Sequence, residues 1–227
     1  MYWLITRIMH EFSKEIELEK VEVVIATSPD PANAAFEMVA NETDCKIFIG
    51  SEENIPLRQL QCAQALSFTE ILSIDGDDIL CSNTAMREIY SRLLNTPPSN
   101  HFTTTGLPLG MNASGYRISY LEERLHISTD IKLETGWGRI FDAKDITELK
   151  LGDYDLKGDL RFTLDYEEDA LFFRKTIEHF EKGIISAIDT DIIAQVEKEG
   201  FYKLNCGLKE KYWNNFLTEK QKETDEK

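Results

Sequence analysis

The hydrophobic pattern along the first half of the chain alternates between two kinds of segment. Short runs of apolar and β-branched residues predict buried strands, and they lie at 21–28, 45–50 and 70–75. Between them, apolar residues recur at helical spacing or stand in Ala-rich stretches, which predicts helices at 2–13, 32–41, 55–66 and 82–94. The alternation predicts an α/β fold with a Rossmann-like, mostly parallel sheet flanked by helices.

The second half departs from this pattern and then returns to it. Residues 101–160 are rich in Thr, Gly and Asp, with short strands predicted at 116–119 and 138–141. A helix is predicted at 119–127, where Ser119 and Glu122 have capping-box spacing. We interpret this region as an insertion over the carboxyl edge of the sheet.

The chain returns to the regular pattern at 161–183, which predicts a strand and then a strong helix ending at Gly183. Residues 189–227 predict two more helices and a charged, frayed end. The expected organisation is an α/β domain over 1–183, with its insertion at about 101–160, and a helical C-terminal extension over 184–227.

Composition and charge narrow the function. The 227 residues carry a net charge of −16, and such a surface repels phosphate backbones, so no nucleic-acid partner is expected. A nucleotide remains compatible, because a divalent metal can neutralise its charge locally. The four scattered cysteines form no CxxC pair, and no segment has signal-peptide or membrane-spanning character. A reduced, cytoplasmic protein without membrane insertion is therefore expected.

Three aspartates stand on one bend directly after the third predicted strand: Asp75, Asp77 and Asp78. Ligands of open α/β sheets bind beyond the carboxyl ends of strands, and one or two carboxylates suffice for Mg²⁺, which keeps several waters. The alternative is an ordinary polar turn, for which Asp-Gly-Asp-Asp is also typical.

Asp165 has two similar interpretations. With Glu168 three residues later, it could be the N-cap of the following helix. It also ends a predicted strand, so it would share a sheet edge with Asp77 if the two strands run parallel side by side. Arg58 lies near the start of a predicted helix. It could steer a phosphate or contact a nucleotide, or it could be a solvated surface residue. Trp137 and Arg139 could line a substrate pocket, and Trp137 could equally belong to the core.

Four stretches, taken in order, resemble a known family: the cytidylyltransferases that activate sugars for surface polysaccharides, in particular the spore coat polysaccharide type, related to CMP-sugar-acid synthetases. The stretches are VVIATSPDP, IFIGSEENIPLR, ILSIDGDDIL and LRFTLDYEEDALFFRKTIEHF. The last resembles an R-x-T-x-D-x-x-x-D pattern of that family. TTGLPLG also resembles a turn that precedes the family's sugar-binding insertion.

The resemblance implies a fold of the nucleotide-diphospho-sugar transferase type and a nucleotidyltransferase reaction. CMP would pass from CTP to a sugar or sugar acid, giving a CMP-sugar and pyrophosphate. Asp77 and Asp165 would be the catalytic residues and the Mg²⁺ ligands. The implied nucleotide contacts are Ala26, Ser28, Gly50, Asn54, Arg58 and Gly76. The partners would be CTP and the sugar substrate, and a homodimer is left open.

The sequence also departs from the family's pattern. The family's first strand, with its glycine- and lysine-bearing triphosphate loop, would precede residue 1 and lie between the strands at 21–28 and 70–75. Asn54 stands where an aspartate is usual, and Ile79 replaces a proline. These departures leave open a truncated or degenerate non-catalytic homologue that binds nucleotide or a partner. A nucleotide-sugar glycosyltransferase is a second alternative, since Asp75-Gly76-Asp77 fits an Asp-x-Asp motif.

Overall fold

The computed structural model describes residues 1–95, 100–154 and 160–225. Three segments lie outside the described part: 96–99, 155–159 and 226–227. They contain, in that order, the Pro-containing break after the helix predicted at 82–94, the end of the predicted insertion, and the last two residues of the predicted frayed tail. No helix within the described ranges is both long and apolar enough to cross a bilayer.

Helices and strands alternate through the first half of the chain, as the hydrophobic pattern predicts. The strands are β1 Val24–Thr27, β2 Lys46–Ile49, β3 Glu70–Ser73, β4 His101–Thr105, β5 Ser114–Arg117 and β6 Ile146–Lys150. The helices are α1 Tyr2–Glu11, α2 Ser13–Glu17, α3 Ala35–Thr43, α4 Ile55–Leu66, α5 Asn83–Asn95, α6 Ile118–Ile127, α7 Glu167–Phe180, α8 Asp189–Glu199 and α9 Lys209–Asp225.

The strands form two sheets. Strands β1 and β2 pair in parallel, and the other sheet has the order β3-β5-β4-β6, in which β4 and β6 are parallel. Strand β5 runs antiparallel to both of its neighbours, β3 and β4. With helices packed against these sheets, the predicted α/β class and the helical C-terminal end are confirmed.

Helix α4 shows how local sequence sets an element. The side chain of Asn54 accepts a hydrogen bond from the N–H of Leu57 at 2.9 Å, and Pro56 stands in the first turn. The helix ends at Ser67, whose left-handed backbone (φ 61°) stops the spiral. The bounds of α4, Ile55–Leu66, agree with the prediction, because the residues that start and end the helix lie in this segment or directly beside it.

Three hydrophobic clusters hold the described sheets and helices together, and two of them are large. The larger one fills the space between the sheet and helices α1, α5, α7 and α8; its fully buried members include Leu80, Met86, Ile89, Phe162 and Phe172. The second lies under the 114–141 region; it includes Tyr116, Leu121, Leu133 and Phe141. Both are apolar enough to dominate the stability of the fold.

Four local predictions were wrong in the second half of the chain. The strand predicted at 138–141 does not form, and residues 137–140 form a 3₁₀ turn. The backbone of Gly136 is left-handed, and the turn that follows places Ile140 in the core. Helix α6 starts at Ile118 and has no side-chain cap, so Ser119 lies inside it and forms no capping box.

The predicted strand after residue 160 is extended chain with one isolated bridge, between Leu109 and Arg161. The N–H groups of Phe162 and Leu164 bond to the carbonyls of Leu109 and Asp77, which lie outside the named strands, so no ladder forms. Helix α7 ends at Phe180, before Gly183, because Glu181 has a positive φ of 49°. His179 packs its ring edge-on against Phe180 and Phe201.

Replacing His101 with phenylalanine is expected to remove part of the acid sensitivity of the fold. His101 is buried against Tyr116, Tyr120 and Phe141, and burial lowers its pKa from 6.5 to about 4. The unfolded chain therefore binds more protons between these values, and stability is lost as the pH falls from about 6.5 toward 4.

Urea unfolding at pH 7 and pH 5 measures this effect. We expect the wild type to lose about 2 kcal/mol more than His101→Phe over that interval. Equal losses in the two proteins would show that His101 does not titrate in this way.

Candidate active site

The turn after β3 is held by its own backbone and by the core. The N–H of Asp78 donates to the carbonyl of Asp75 at 3.1 Å, and the N–H of Ile79 donates to the carbonyl of Asp77 at 3.0 Å. Directly after the turn, Leu80 is fully buried and anchors the chain. The aspartates are therefore fixed at the carboxyl end of β3, where ligands of α/β sheets bind.

The extended chain at 161–165 runs beside this turn and brings the two predicted carboxylates together. The N–H of Leu164 donates to the carbonyl of Asp77 at 3.0 Å. The hydroxyl of Thr163 lies 3.0 Å from Oδ2 of Asp77 and 3.2 Å from Oδ2 of Asp165. One hydroxyl thus bridges both carboxylates, although they are 88 positions apart in sequence (165 − 77).

Arg161 fixes the orientation of Asp165. Its guanidinium contacts Asp165 and donates from Nε to Oδ1 of Asp169 at 2.9 Å. Oδ2 of Asp169 in turn accepts from the N–H groups of Asp165 and Tyr166, each at 3.0 Å. The cap of α7 is therefore Tyr166 with Asp169, so the alternative interpretation of Asp165 as the N-cap was wrong. Its carboxylate faces the site.

The surroundings of the carboxyl groups in the turn favour their protonated form and raise their pKa values. Burial and the neighbouring Asp77 raise the pKa of Asp75 to about 6. The same two causes, in the same order, raise the pKa of Asp78 well above its usual value. Burial also raises the pKa of Asp165, against the opposing effect of Arg161. A cation placed among these groups would relieve the repulsion.

The donor set suits Mg²⁺. Hard carboxylate oxygens are its preferred ligands, and two protein carboxylates are enough when phosphates and waters fill the remaining positions. Asp77 and Asp165 supply such a pair. No cluster of three or more His, Cys, Asp or Glu ligands occurs in the described ranges, and the arrangement is that of an open site.

The aspartates open onto a pocket of about 620 Å³. Its walls are of two kinds. Carboxylates come from Asp75, Asp77, Glu134, Asp165 and Glu219, and aromatic rings come from Trp137, Tyr166, Tyr212 and Phe216. Trp137 lines this pocket and also packs against Tyr116 and Phe141 of the core; its role toward a substrate stays a prediction.

One wall comes from the C-terminal helix α9, which the sequence reasoning did not connect with the site. Glu223 accepts from Arg139 at 2.9 Å and from the N–H of Thr135 at 2.7 Å. At the other end, the guanidinium of Arg161 lies 4.6 Å from the ring centre of Tyr212. Tyr212 and Phe216, four residues apart, face the pocket; this aromatic spacing was the available signal.

The predicted nucleotide contacts lie at different places in the structure. Gly76 lines the pocket, and with Ala26 and Arg58 it also lines a second cavity, between β1 and β3. Ser28 and Gly50 belong to neither lining; Ser28 Oγ accepts from the amide of Asn33 at 2.9 Å. Their role as nucleotide contacts stays a prediction.

Asn54 and Arg58 are held by the protein itself. Besides capping α4, Asn54 donates to the carbonyl of Ile131 at 3.1 Å. Arg58 donates to the carbonyl of Ser51 at 2.8 Å and lies 3.2 Å from Glu134. The two residues fasten the start of α4 to the 131–134 segment beside the pocket.

No protein-family model and no curated protein matches this chain. Several solved structures match it. A cytidylyltransferase from Leptospira borgpetersenii serovar Hardjo-bovis (strain JB197) superposes with a TM-score of 0.77 at 20% identity, over 90% of this chain and 85% of that one. The 4-diphosphocytidyl-2C-methyl-D-erythritol synthase of Anaerococcus prevotii DSM 20548 superposes with a TM-score of 0.52 at 13% identity, over 77% of this chain and 89% of that one.

These superpositions establish the fold. The chain shares its α/β fold with the Leptospira cytidylyltransferase over nine-tenths of its length. At such identities the likeness does not carry the substrate with it.

Proposed function

We propose that this protein is a Mg²⁺-dependent cytidylyltransferase that transfers CMP from CTP to a sugar or sugar acid. The single observation that carries the proposal is the carboxylate pair: Asp77 and Asp165, bridged by the hydroxyl of Thr163, open onto the 620 Å³ pocket. The nucleotidyltransferase fold supports the same conclusion.

The chemistry requires positioning and charge neutralisation. A hydroxyl oxygen of the sugar attacks the α-phosphorus of CTP and loses its proton to water. The new P–O bond forms as the bond to the β-phosphate oxygen breaks, and pyrophosphate leaves. Mg²⁺, when bound, would neutralise the phosphate oxygens. Asp77 and Asp165 would hold it, while Thr163 and Arg161 keep the two carboxylates in place. The described lining has no serine, cysteine or histidine nucleophile, and direct displacement needs none.

The opposite wall suits the acceptor. Aromatic side chains bind the apolar faces of sugar rings, and Trp137, Tyr212 and Phe216 provide such faces. Carboxylates accept hydrogen bonds from hydroxyls, and Glu134 and Glu219 lie among these rings. A role in surface polysaccharide synthesis rests on the sequence resemblance.

Incubation of the chain with CTP, Mg²⁺ and a panel of sugars and sugar acids tests the proposal. We expect pyrophosphate release that depends on CTP, on one class of sugar and on Mg²⁺, and that EDTA abolishes. Calorimetry with CTP in the presence and absence of Mg²⁺ accompanies the assay. Absence of both turnover and CTP binding would refute the proposal, whereas binding without turnover would favour the non-catalytic homologue.

A nucleotide-sugar glycosyltransferase is the second candidate. Asp75 and Asp77 both line the pocket, as an Asp-x-Asp motif that holds a metal–diphosphate group requires. Transfer from a labelled nucleotide sugar, without formation of pyrophosphate, would favour this activity over the first.

A further inference from the structure

Trp137 of the pocket wall lies in a segment whose own sequence does not restrain it. It stands between Gly136 and Gly138, and glycine restricts the backbone less than any other residue. Gly136 is left-handed, with φ 62°, and a Cβ added at Gly138 would meet no described atom within 4 Å. The restraint that keeps the Trp137 ring in the wall therefore has to come from tertiary contacts.

A single carboxylate holds both ends of this segment. Oε1 of Glu223 accepts a hydrogen bond from the N–H of Thr135 at 2.7 Å, and Oε2 accepts one from Nη2 of Arg139 at 2.9 Å. Thr135 and Arg139 directly flank the Gly136–Gly138 stretch. We call this arrangement, Glu223 bonded to residues 135 and 139, the Glu223 clamp; Trp137 lies at its centre.

The guanidinium of Arg139 extends the clamp to the preceding chain. Nη2 also donates to the carbonyl of Lys132 at 2.8 Å, and Nη1 contacts the carbonyl of Thr135. Nε lies 3.4 Å from Oδ2 of Asp130. The side chains of Arg139 and Glu223 are only 16% and 14% exposed, so water screens their attraction less than that of a surface pair. Loss of this pair should therefore disturb the segment more than loss of an exposed pair would.

The stability of α9 does not explain why Glu223 stands where it does. Glu223 lies in the last turn of the helix, where the helix dipole disfavours a carboxylate. None of the α9 side chains that the structure describes is buried, so contacts along one side attach this helix to the fold. What Glu223 stabilises is therefore the contact between α9 and the 135–139 segment.

We propose that Glu223 is a positioning residue of the candidate site: the Glu223 clamp keeps Trp137 in place as the face on which the acceptor sugar binds. The identity of the ligand rests on the proposed function, whereas the clamp rests on the contacts above. The role concerns the acceptor alone, because the contacts described for Glu223 do not include Asp77 or Asp165.

The fluorescence of Trp137 tests the clamp without any substrate. The chain has three tryptophans, so Trp3→Phe and Trp213→Phe leave Trp137 as the sole emitter. In this background we expect Glu223→Ala to increase acrylamide quenching about twofold, because the released segment exposes the half-buried ring. Glu223→Gln should give a smaller increase, since its amide oxygen can still accept from the N–H of Thr135.

Steady-state kinetics test the role in acceptor binding. The acceptor is the sugar that gives the highest rate of pyrophosphate release in the panel described above. We expect Glu223→Ala to raise KM for this sugar about tenfold or more and to leave KM for CTP within about twofold of the wild type. A role in stability alone would lower the active fraction and change neither KM.

A control on the same helix accompanies both measurements. Glu210 is exposed in the first turn of α9 and lies outside the lining of the pocket. Glu210→Ala makes the same chemical change there and should alter neither the quenching nor the two KM values. Glu223→Ala itself should fold, because Arg139 keeps Asp130 and two carbonyl groups as partners.

A double variant tests whether the two charged residues act as one unit. Glu223→Ala combined with Arg139→Ala should raise KM for the acceptor no further than the larger of the two single changes, because either change already opens the clamp. Additive effects would show that the two residues act separately.

Either of two results would overturn the inference. Equal quenching of Trp137 in Glu223→Ala and Glu210→Ala would show that the clamp does not hold the segment. A joint rise of KM for CTP and for the acceptor would show that Glu223 does not act through the acceptor wall. Failure of the proposed function looks different: the wild type would release no pyrophosphate with any acceptor, and the quenching comparison would then decide on the clamp.

Discussion

The Asp77→Asn variant is expected to release pyrophosphate from CTP about 10²–10³ times more slowly than the wild type at saturating Mg²⁺. Asparagine preserves the shape of the side chain and can still accept a hydrogen bond from Thr163, so the turn should keep its conformation. It removes the negative charge that, with Asp165, would hold the cation. Steady-state rates across a Mg²⁺ titration measure the effect.

The structure supplies the control for this experiment. Asp191 is exposed in the first turn of α8 and belongs to neither cavity lining. Asp191→Asn makes the same chemical change there and should leave the rate within about twofold of the wild type. An Asp77→Asn rate equal to that of the control would remove Asp77 from the mechanism while leaving the fold assignment intact.

Arg161→Met is expected to destabilise the protein by about 3–5 kcal/mol. The Arg161 and Asp169 side chains are 4% and 0% exposed, so methionine would leave the Asp169 carboxylate buried without its cation. The same change removes the guanidinium beside Tyr212 and the support of Asp165. Urea unfolding monitored by circular dichroism measures the loss of free energy.

Two further variants separate the causes. Arg174→Met, on the exposed face of α7, should change the free energy of unfolding by no more than about 0.5 kcal/mol. Arg161→Met combined with Asp169→Asn should recover part of the loss, because asparagine leaves no charge buried alone and keeps an oxygen for the N–H groups of Asp165 and Tyr166. If the double variant were as unstable as the sum of the two single ones, the ion pair would not be the cause.

Local signals in the sequence predicted most of the first half of the fold. The bounds of α4 follow from its own cap and periodicity, and β1, β2 and β3 lie inside the three apolar runs. The antiparallel β5 could not be predicted in this way, because its direction depends on pairing with β3 and β4, which are distant in sequence.

The extended chain from residue 161 illustrates the same limit. Its apolar alternation resembles that of a strand, but Arg161, Thr163 and Leu164 bond to Asp169 and Asp77 in place of a neighbouring strand. The sequence placed Asp77 and Asp165 at the ends of predicted strands, so that they would share one edge if those strands were parallel neighbours; the second strand does not form. The sequence could not show that Thr163 bridges them.

Helix α9 was the largest omission at the site. Its sequence is amphipathic and aromatic, which is compatible with many positions on a fold. Its place over the pocket depends on Glu223 reaching Arg139, 84 positions away, and on Tyr212 stacking near Arg161. The spacing of Tyr212 and Phe216 indicated an aromatic face on this helix, but the place of that face over the pocket is decided by tertiary contacts.

The two walls of the pocket come from separate parts of the chain, and this division has an evolutionary consequence. One wall is built by the turn after β3 and the 161–166 segment, and the other by residues 134–138 and α9. Substitutions at Phe216 or Glu219 can therefore reshape one wall of the pocket while the carboxylate pair stays untouched. If the proposed function holds, changes in the last helix could alter which acceptor is bound without loss of the proposed metal ligands.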